Sequence, residues 1–326
     1  MCDALGDDGL QGFADGDRRA RLADLKTKLA RHRARRMGSS SAPGVVPASP
    51  RISDEVPLMT VRLFGGVEIS IGGVPVDIST FRKPKIKTLL AVLVLHRGKE
   101  VARREILDIL WPGSSGQRAV NNFYSLWSAL RRALGDGYGN CPYLVRHQTS
   151  CMVDARYVRS DIDEFEELCR TLFFGRPEVG AWMDAFARLQ DDFSCDLLPS
   201  EMDSPYIDHL RRSYRGKLVD AYTAAADRLC DIGESQAALW FAHAAFEKSQ
   251  KREDVYCVLM RAQMLAGQRS LAMETFMECK AFMAEELGMD LSERMMRLHR
   301  DLISNASDGS LVSERMERCM TADVLK

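Results

Sequence analysis

No two of the chain's nine cysteines form a CxxC pair. That excludes a zinc ribbon. Their odd number and scattered positions, from Cys2 to Cys319, exclude a disulfide framework and suit a reducing compartment. Most then read as small core hydrophobes. The longest apolar run, Leu89 to Leu95, falls far short of the roughly 20 residues that a bilayer demands. The N-terminus carries acids and lacks an apolar stretch, so no secretory signal is expected. The expected location is cytoplasmic, without membrane contact. Neither the cysteines nor the six histidines fall at metal-ligand spacing or in a nucleophile motif, so no metal, cofactor or enzymatic activity is expected.

What is present is ordinary in amount and uneven in placement. Hydrophobic residues at 46% and charged residues at 28% are typical of a globular protein, and 326 residues suffice for two domains with separate cores. The net charge of −1 conceals an asymmetry. Residues 58–156 hold 14 Lys/Arg against 7 Asp/Glu, whereas residues 157–326 hold 21 against 31. A basic segment joined to an acidic one suits a chain that meets phosphates with one half and protein with the other.

Residues 1–57 read as a disordered arm and linker, ending in the proline- and serine-rich stretch Ser39–Pro50. Within it Arg18–Arg36 has leucines at helical spacing and reads as a transient helix in a flexible arm. From Met59 the hydrophobic period becomes two. MTVRLF, VEISI and VPVDI are short strands separated by Gly65-Gly66 and Gly72-Gly73, whose positive φ suits tight hairpins. The period then changes to 3.6, giving helices over Lys83–Leu95, Arg103–Leu110 and Gln117–Leu134. Pro112-Gly113 closes the second and Gly135 is placed to cap the third. Two further extended runs, Tyr143–Arg146 and Cys151–Asp154, form a hairpin. Sheet, three helices and hairpin make an α+β winged helix-turn-helix domain over residues 58–156.

Beyond Ser160 only helical patterns occur: Ile162–Phe174, Val179–Leu197, Tyr206–Cys230, Ser235–Phe246, Arg252–Ala266, Ser270–Leu287 and Ser292–Ile303. The pairs spanning 206–246 and 252–287 resemble each other in length and turn, the mark of stacked helical repeats. Residues 157–306 are therefore expected to form an all-α, TPR-like helical-repeat domain, with 307–326 a tail.

The third helix of the basic domain carries the candidate DNA-reading surface. Stepping about 100° per residue puts Val120, Phe123, Leu130 and Leu134 on one side with Trp127. Arg118, Asn121, Asn122, Ser125, Ala129 and Arg132 gather on the other, with no acid or large apolar group among them. Asn and Arg can each make paired hydrogen bonds to adenine or guanine edges in the major groove, and Ser125 allows close approach. These residues also fit an ordinary solvated face. Arg131 at the margin, and Arg82, Lys83, Lys85 and Lys87 at the start of the first helix, suit phosphates. Arg146 and His147 at the hairpin tip could enter a minor groove or touch its phosphates.

VRLFGGVEISIGGVPVDI, KIKTLLAVLVLHRGKEVARREILDILWP and SALRRALG resemble the SARP-type regulators, which join an OmpR-type winged helix to a bacterial transcriptional activator domain. SDIDEFEEL, and GMDLSERMMRLHRDLI after AEEL, resemble that second domain. The resemblance runs from about Val61 to Ile303. It implies binding of double-stranded promoter DNA, often as a homodimer on direct repeats, and activation through RNA polymerase. It also implies that the helical domain is a dimerisation or protein-contact platform. The implied recognition helix falls on Val120–Leu134. Two positions depart from the family pattern: Ala129 replaces an arginine before Leu130, and Ser150-Cys151 replace Gly-Tyr in the wing. The GxxxxGK[ST] loop of larger relatives is missing, and no receiver domain is expected before residue 58. Any signal is then expected to enter through the helical domain, the arm or the protein's abundance.

Two other function classes compete. An enzyme would have to use the acidic cluster Asp161, Asp163, Glu164, Glu166 and Glu167 as a cation site, yet acids at a helix start complement its dipole. A protein-interaction adaptor whose winged helix no longer reads DNA would explain Ala129. Met260, Met264, Met273, Phe276, Met277, Phe282 and Met283 would then be a partner groove, although their helical spacing suits a core. The basic balance and Asn121, Asn122, Arg131 and Arg132 favour the DNA reader.

Overall fold

Strand β1, Met59–Arg62, alternates buried and exposed residues, with Met59 and Val61 wholly buried. It pairs antiparallel with β2, Glu68–Ile71, in the register Met59↔Ile71. Gly72 and Gly73, at φ 57° and 83°, turn the chain as a two-residue hairpin requires. The run VPVDI yields a short β3, Val74–Pro75, with Pro75 opposite Ser70, and the Val76 N–H still donates to the Ile69 carbonyl at 2.9 Å. The computed structural model describes residues 56–77, 81, 84–114, 116–135, 141–176, 178–198 and 204–304. Arg82, Lys83, the arm with its Arg18–Arg36 segment and the 307–326 tail lie outside the described residues. All described residues belong to one compact unit beginning at Val56.

Helix α1, Pro84–Leu95, is buried continuously from Thr88 to Val94. The longest apolar run is thus a central helix, covered on nearly all sides by α2 (Arg103–Leu110), α3 (Gln117–Leu134) and β6 (Ser150–Val153). Strands β4 (Val101–Ala102), β5 (Leu144–Arg146) and β6 form an antiparallel sheet in the order β4-β6-β5, and β5-β6 is the wing. This is a winged helix-turn-helix. Gly135 has φ −91°, so α3 ends without the left-handed cap that its glycine suggested.

A final strand, β7 (Val158–Ser160), runs parallel to β1 and gives the first sheet the order β3-β2-β1-β7. The chain passes from it directly into α4, Asp161–Phe174. Helix α5, Val179–Asp192, stops short of the expected Leu197. Its continuation returns to β1: the Leu198 N–H donates to the Leu63 carbonyl at 2.8 Å, and the Gly65 N–H donates to Asp196 at 3.1 Å.

The rest is an all-α, TPR-like stack: α6 (Pro205–Asp231), α7 (Ser235–Lys248), α8 (Glu253–Leu265), α9 (Arg269–Glu285) and α10 (293–304). Alanines 237, 238, 242, 244 and 245 are buried on α7, so its neighbours approach closely. Helices α6 and α8 are bridged by charge. Arg252 reaches Asp220 at 2.5 Å, and Arg261 reaches Asp227 and Asp231 at 2.8 and 2.6 Å. The Met and aromatic series behaves mainly as core. Met260, Phe276 and Met283 are buried, Met264, Met273 and Phe282 are half-buried, and Met277 is exposed.

Candidate nucleic-acid interface

Helix α3 buries Ala119, Phe123, Leu126, Trp127, Leu130 and Leu134, a wider stripe than its period suggested, while Val120 is only half-buried. Arg118, Asn121, Asn122, Ser125, Arg131 and Arg132 are all exposed, and Ala129 is half-buried. The helix contains no acid, so nothing on it repels phosphate. Gln117 Nε2 donates to Asn121 Oδ1 at 3.1 Å, which uses the amide oxygen and not its N–H groups.

The wing tip is fixed by backbone and side chain together. The His147 N–H donates to the Ser150 carbonyl at 2.9 Å and closes the hairpin. Ser150 Oγ donates to Glu100 Oε2 at 2.6 Å, and His147 Nε2 stands 3.6 Å from Glu100 Oε1. His147 is therefore held partly by a carboxylate. The two wing departures, Ser150 and Cys151, face inward. Burial pushes the Cys151 thiol up to about 11, against the opposing pull of Arg146 and Arg103.

Lys85 is placed differently from a free phosphate-binding lysine. Its Nζ donates to the Leu110 carbonyl at 2.5 Å and lies 4.8 Å from the centre of the Trp111 ring. It completes the C-terminus of α2, and burial holds its pKa below the usual lysine range. Lys87 is half-buried on α1.

Two residues absent from the sequence-based site join the wing to α3. Arg103, the first residue of α2, donates from Nη1 to Tyr124 Oη at 2.7 Å and to the Gln148 carbonyl at 3.1 Å. Tyr124 is 36% exposed, and its ring centre lies 5.3 Å from the Arg146 guanidinium and 5.8 Å from that of Arg103. The one available signal was an aromatic on an otherwise polar flank of α3.

Residues 161–303 match the family described as Bacterial transcriptional activator domain. The chain is also 28% identical over 252 residues to Transcriptional regulatory protein EmbR of Mycobacterium bovis and of Mycobacterium tuberculosis. The chain therefore carries a bacterial transcriptional activator domain over residues 161–303. That alignment covers 72% of this chain and 62% of each relative, so the chain spans about three fifths of their length. Mycobacterium tuberculosis EmbR, solved in complex with a low affinity phosphopeptide, shares the fold with a TM-score of 0.64 at 21% identity. That likeness covers 76% of this chain and 66% of that one.

The activator domain begins at the acidic cluster, and each acid there has a partner. Asp161 Oδ2 accepts the N–H groups of Leu63 and Phe64, both at 2.9 Å. Asp163 lies 3.3 Å from Arg97, and Glu166 pairs with both Arg97 and Lys217. Glu164 and Glu167 pair with Arg188 and Arg170. Beneath them Phe64, Phe165, Phe193 and Tyr214 form one aromatic cluster, with ring centres 4.8 to 6.2 Å apart. Burial, reinforced by Glu166, pushes the Tyr214 hydroxyl up to about 12. Asp161, Asp163 and Glu166 thus join the winged helix to the activator domain. No group of three or more His, Cys, Asp or Glu among the described residues is arranged to hold a metal ion, and no described helix is long and apolar enough to cross a membrane.

Proposed function

We propose that this regulator binds double-stranded promoter DNA with α3 in the major groove and the wing over the adjacent backbone. Arg118, Asn121, Asn122, Ser125 and Arg132 read base edges. Arg131 and Arg146 hold phosphates, joined by His147, Lys85, Lys87 and the Arg82-Lys83 pair that leads into α1. The observation that carries this reading is an acid-free α3 whose exposed face is continuous with the cationic base of the wing. The division of labour follows the domains: residues 58–156 bind DNA, and residues 157–306 pair two protomers or contact RNA polymerase to activate transcription. The relative EmbR is described as a transcriptional regulatory protein, which supports this reading.

The experiment is selection of bound fragments from the source genome by purified protein, followed by titration of the best fragment at several salt concentrations. A common short repeat with steeply salt-dependent affinity is the expected outcome. Recovery of no common sequence overturns it and favours the adaptor, the reading to which half-buried Ala129 lends some support.

A further inference from the structure

The junction between wing and α3 holds more than the reading face requires. β4 pairs with β6 through Ala102↔Ser150, and the next residue, Arg103, donates its backbone N–H to the Thr149 carbonyl at 2.7 Å. The first turn of α2 is thereby bonded to the wing tip. The Arg103 guanidinium adds two contacts, to Gln148 of the wing and to the Tyr124 hydroxyl of α3. One half-buried side chain therefore links three elements that are far apart in sequence.

The electrostatics of this link point outward. Arg103 and Arg146 both lie within about 6 Å of the same ring, where the π face favours each cation. Two guanidiniums on one ring also repel each other. Glu100, the acid in contact with the tip, is engaged by Ser150 and His147. An anion beside Tyr124 would relieve that repulsion, and Arg146 is the exposed member able to meet it.

We propose that Arg103 and Tyr124 are positioning residues that lock the wing to the recognition helix and present Arg146 to one DNA phosphate. The proposal rests on the DNA-binding reading above. Both bonds leave the one nitrogen Nη1 at the far end of the guanidinium, and a lysine ammonium, which ends one bond short of it, does not reach both acceptors from the same backbone position.

The test uses the full chain and a genomic fragment that it enriches, with wild type, Arg103→Lys, Tyr124→Phe and Arg146→Ala. Affinity is read against salt, the contacted backbone by hydroxyl-radical footprinting and the fold by thermal melting. Arg103→Lys, which keeps the charge, should bind roughly three- to tenfold more weakly. It should lose the wing-side protections, keep those over the major groove and melt like wild type. Tyr124→Phe should reproduce this in weaker form, since it removes the hydroxyl and keeps the ring. Arg146→Ala should lower the salt slope by about one phosphate contact. A wild-type footprint and affinity for Arg103→Lys would overturn the proposal. So would uniform loss of the footprint with a lowered melting temperature, which would assign the pair to the scaffold. If wild-type protein itself enriches no sequence, the DNA-binding reading fails before these variants are compared.

Discussion

Asp161 and Phe64 stand 97 residues apart in the chain, yet the Phe64 N–H donates to the Asp161 carboxylate at 2.9 Å, and the Leu63 N–H does the same. The two residues that follow the first strand of the winged helix are thus closed by the first residue of the activator domain. Replacing Asp161 with Ala should cost about 2–4 kcal/mol, because two buried N–H groups lose their acceptor. Asp161→Asn keeps an acceptor oxygen and should cost less than about 1 kcal/mol. The pH dependence separates the two effects. Burial holds the Asp161 carboxyl above its usual range, against the pull of the two N–H donors. A raised carboxylate pKa means that the folded state binds the proton more tightly, so stability falls as pH rises through that pKa. The Asn variant, which carries no charge to bury, should therefore compare best with wild type at neutral pH and lose ground toward acid. Urea unfolding at two pH values measures this.

The second tie is ionic and weaker. Arg97 pairs with Glu166, which Lys217 shares, and all three are partly exposed. A double-mutant cycle on Arg97→Ala and Glu166→Gln should give a coupling of about 0.5–1 kcal/mol that shrinks with added salt. Burial opposes ionisation of Glu166, but Lys217 and Arg97 outweigh it and hold the carboxyl below its usual range. A lowered carboxylate pKa gives stability that is present above the ordinary glutamate range and lost as pH falls through the folded value. The coupling should be full at neutral pH and vanish in acid, the opposite trend to Asp161.

On the reading face, Asn122→Ala and Arg132→Ala should each weaken operator binding by about 1–3 kcal/mol and relax specificity at particular base pairs. Lys85→Ala should weaken all DNA alike. It should also lower stability by about 1 kcal/mol, since Lys85 bonds the end of α2. Equal losses on every sequence for all three variants would move base reading away from this face of α3.

Thiol chemistry provides a check on the core. Burial pushes Cys230 up to about 11 and Cys169, Cys257 and Cys279 up to about 12, whereas Cys195 is exposed. Brief alkylation of native protein should label Cys195 and leave these four until the chain is unfolded. Peptide mass mapping over time shows the order.

The helices and the hairpin glycines were legible because their signals are local. The apolar run at Leu89–Leu95, the Gly72-Gly73 turn and the 3.6-residue stripe of α3 each lie within a few turns of chain. Strands β4 and β7 were missed because two or three residues cannot display a period of two. The end of α5 was misplaced because residues 196–198 pair their backbone with 63–65, just past β1 and more than 130 residues away. The same distance hid the acidic cluster's role. Its charges fit a helix dipole equally well, and only Leu63, Phe64 and Arg97, all supplied by the winged helix, reveal what they hold. Arg103 and Tyr124 escaped notice because neither residue type suggests a site until the wing folds over them.

Strand β7 lies parallel to β1 and continues without a linker into α4. The sheet of the first domain is therefore the root from which the helical stack grows. Two copies joined through their stacks would set their reading helices at one separation and one rotation about the duplex. Such a dimer would distinguish operators by the spacing of their half-sites as well as by their bases, and a few inserted base pairs would move the second half-site off the face that its helix can reach.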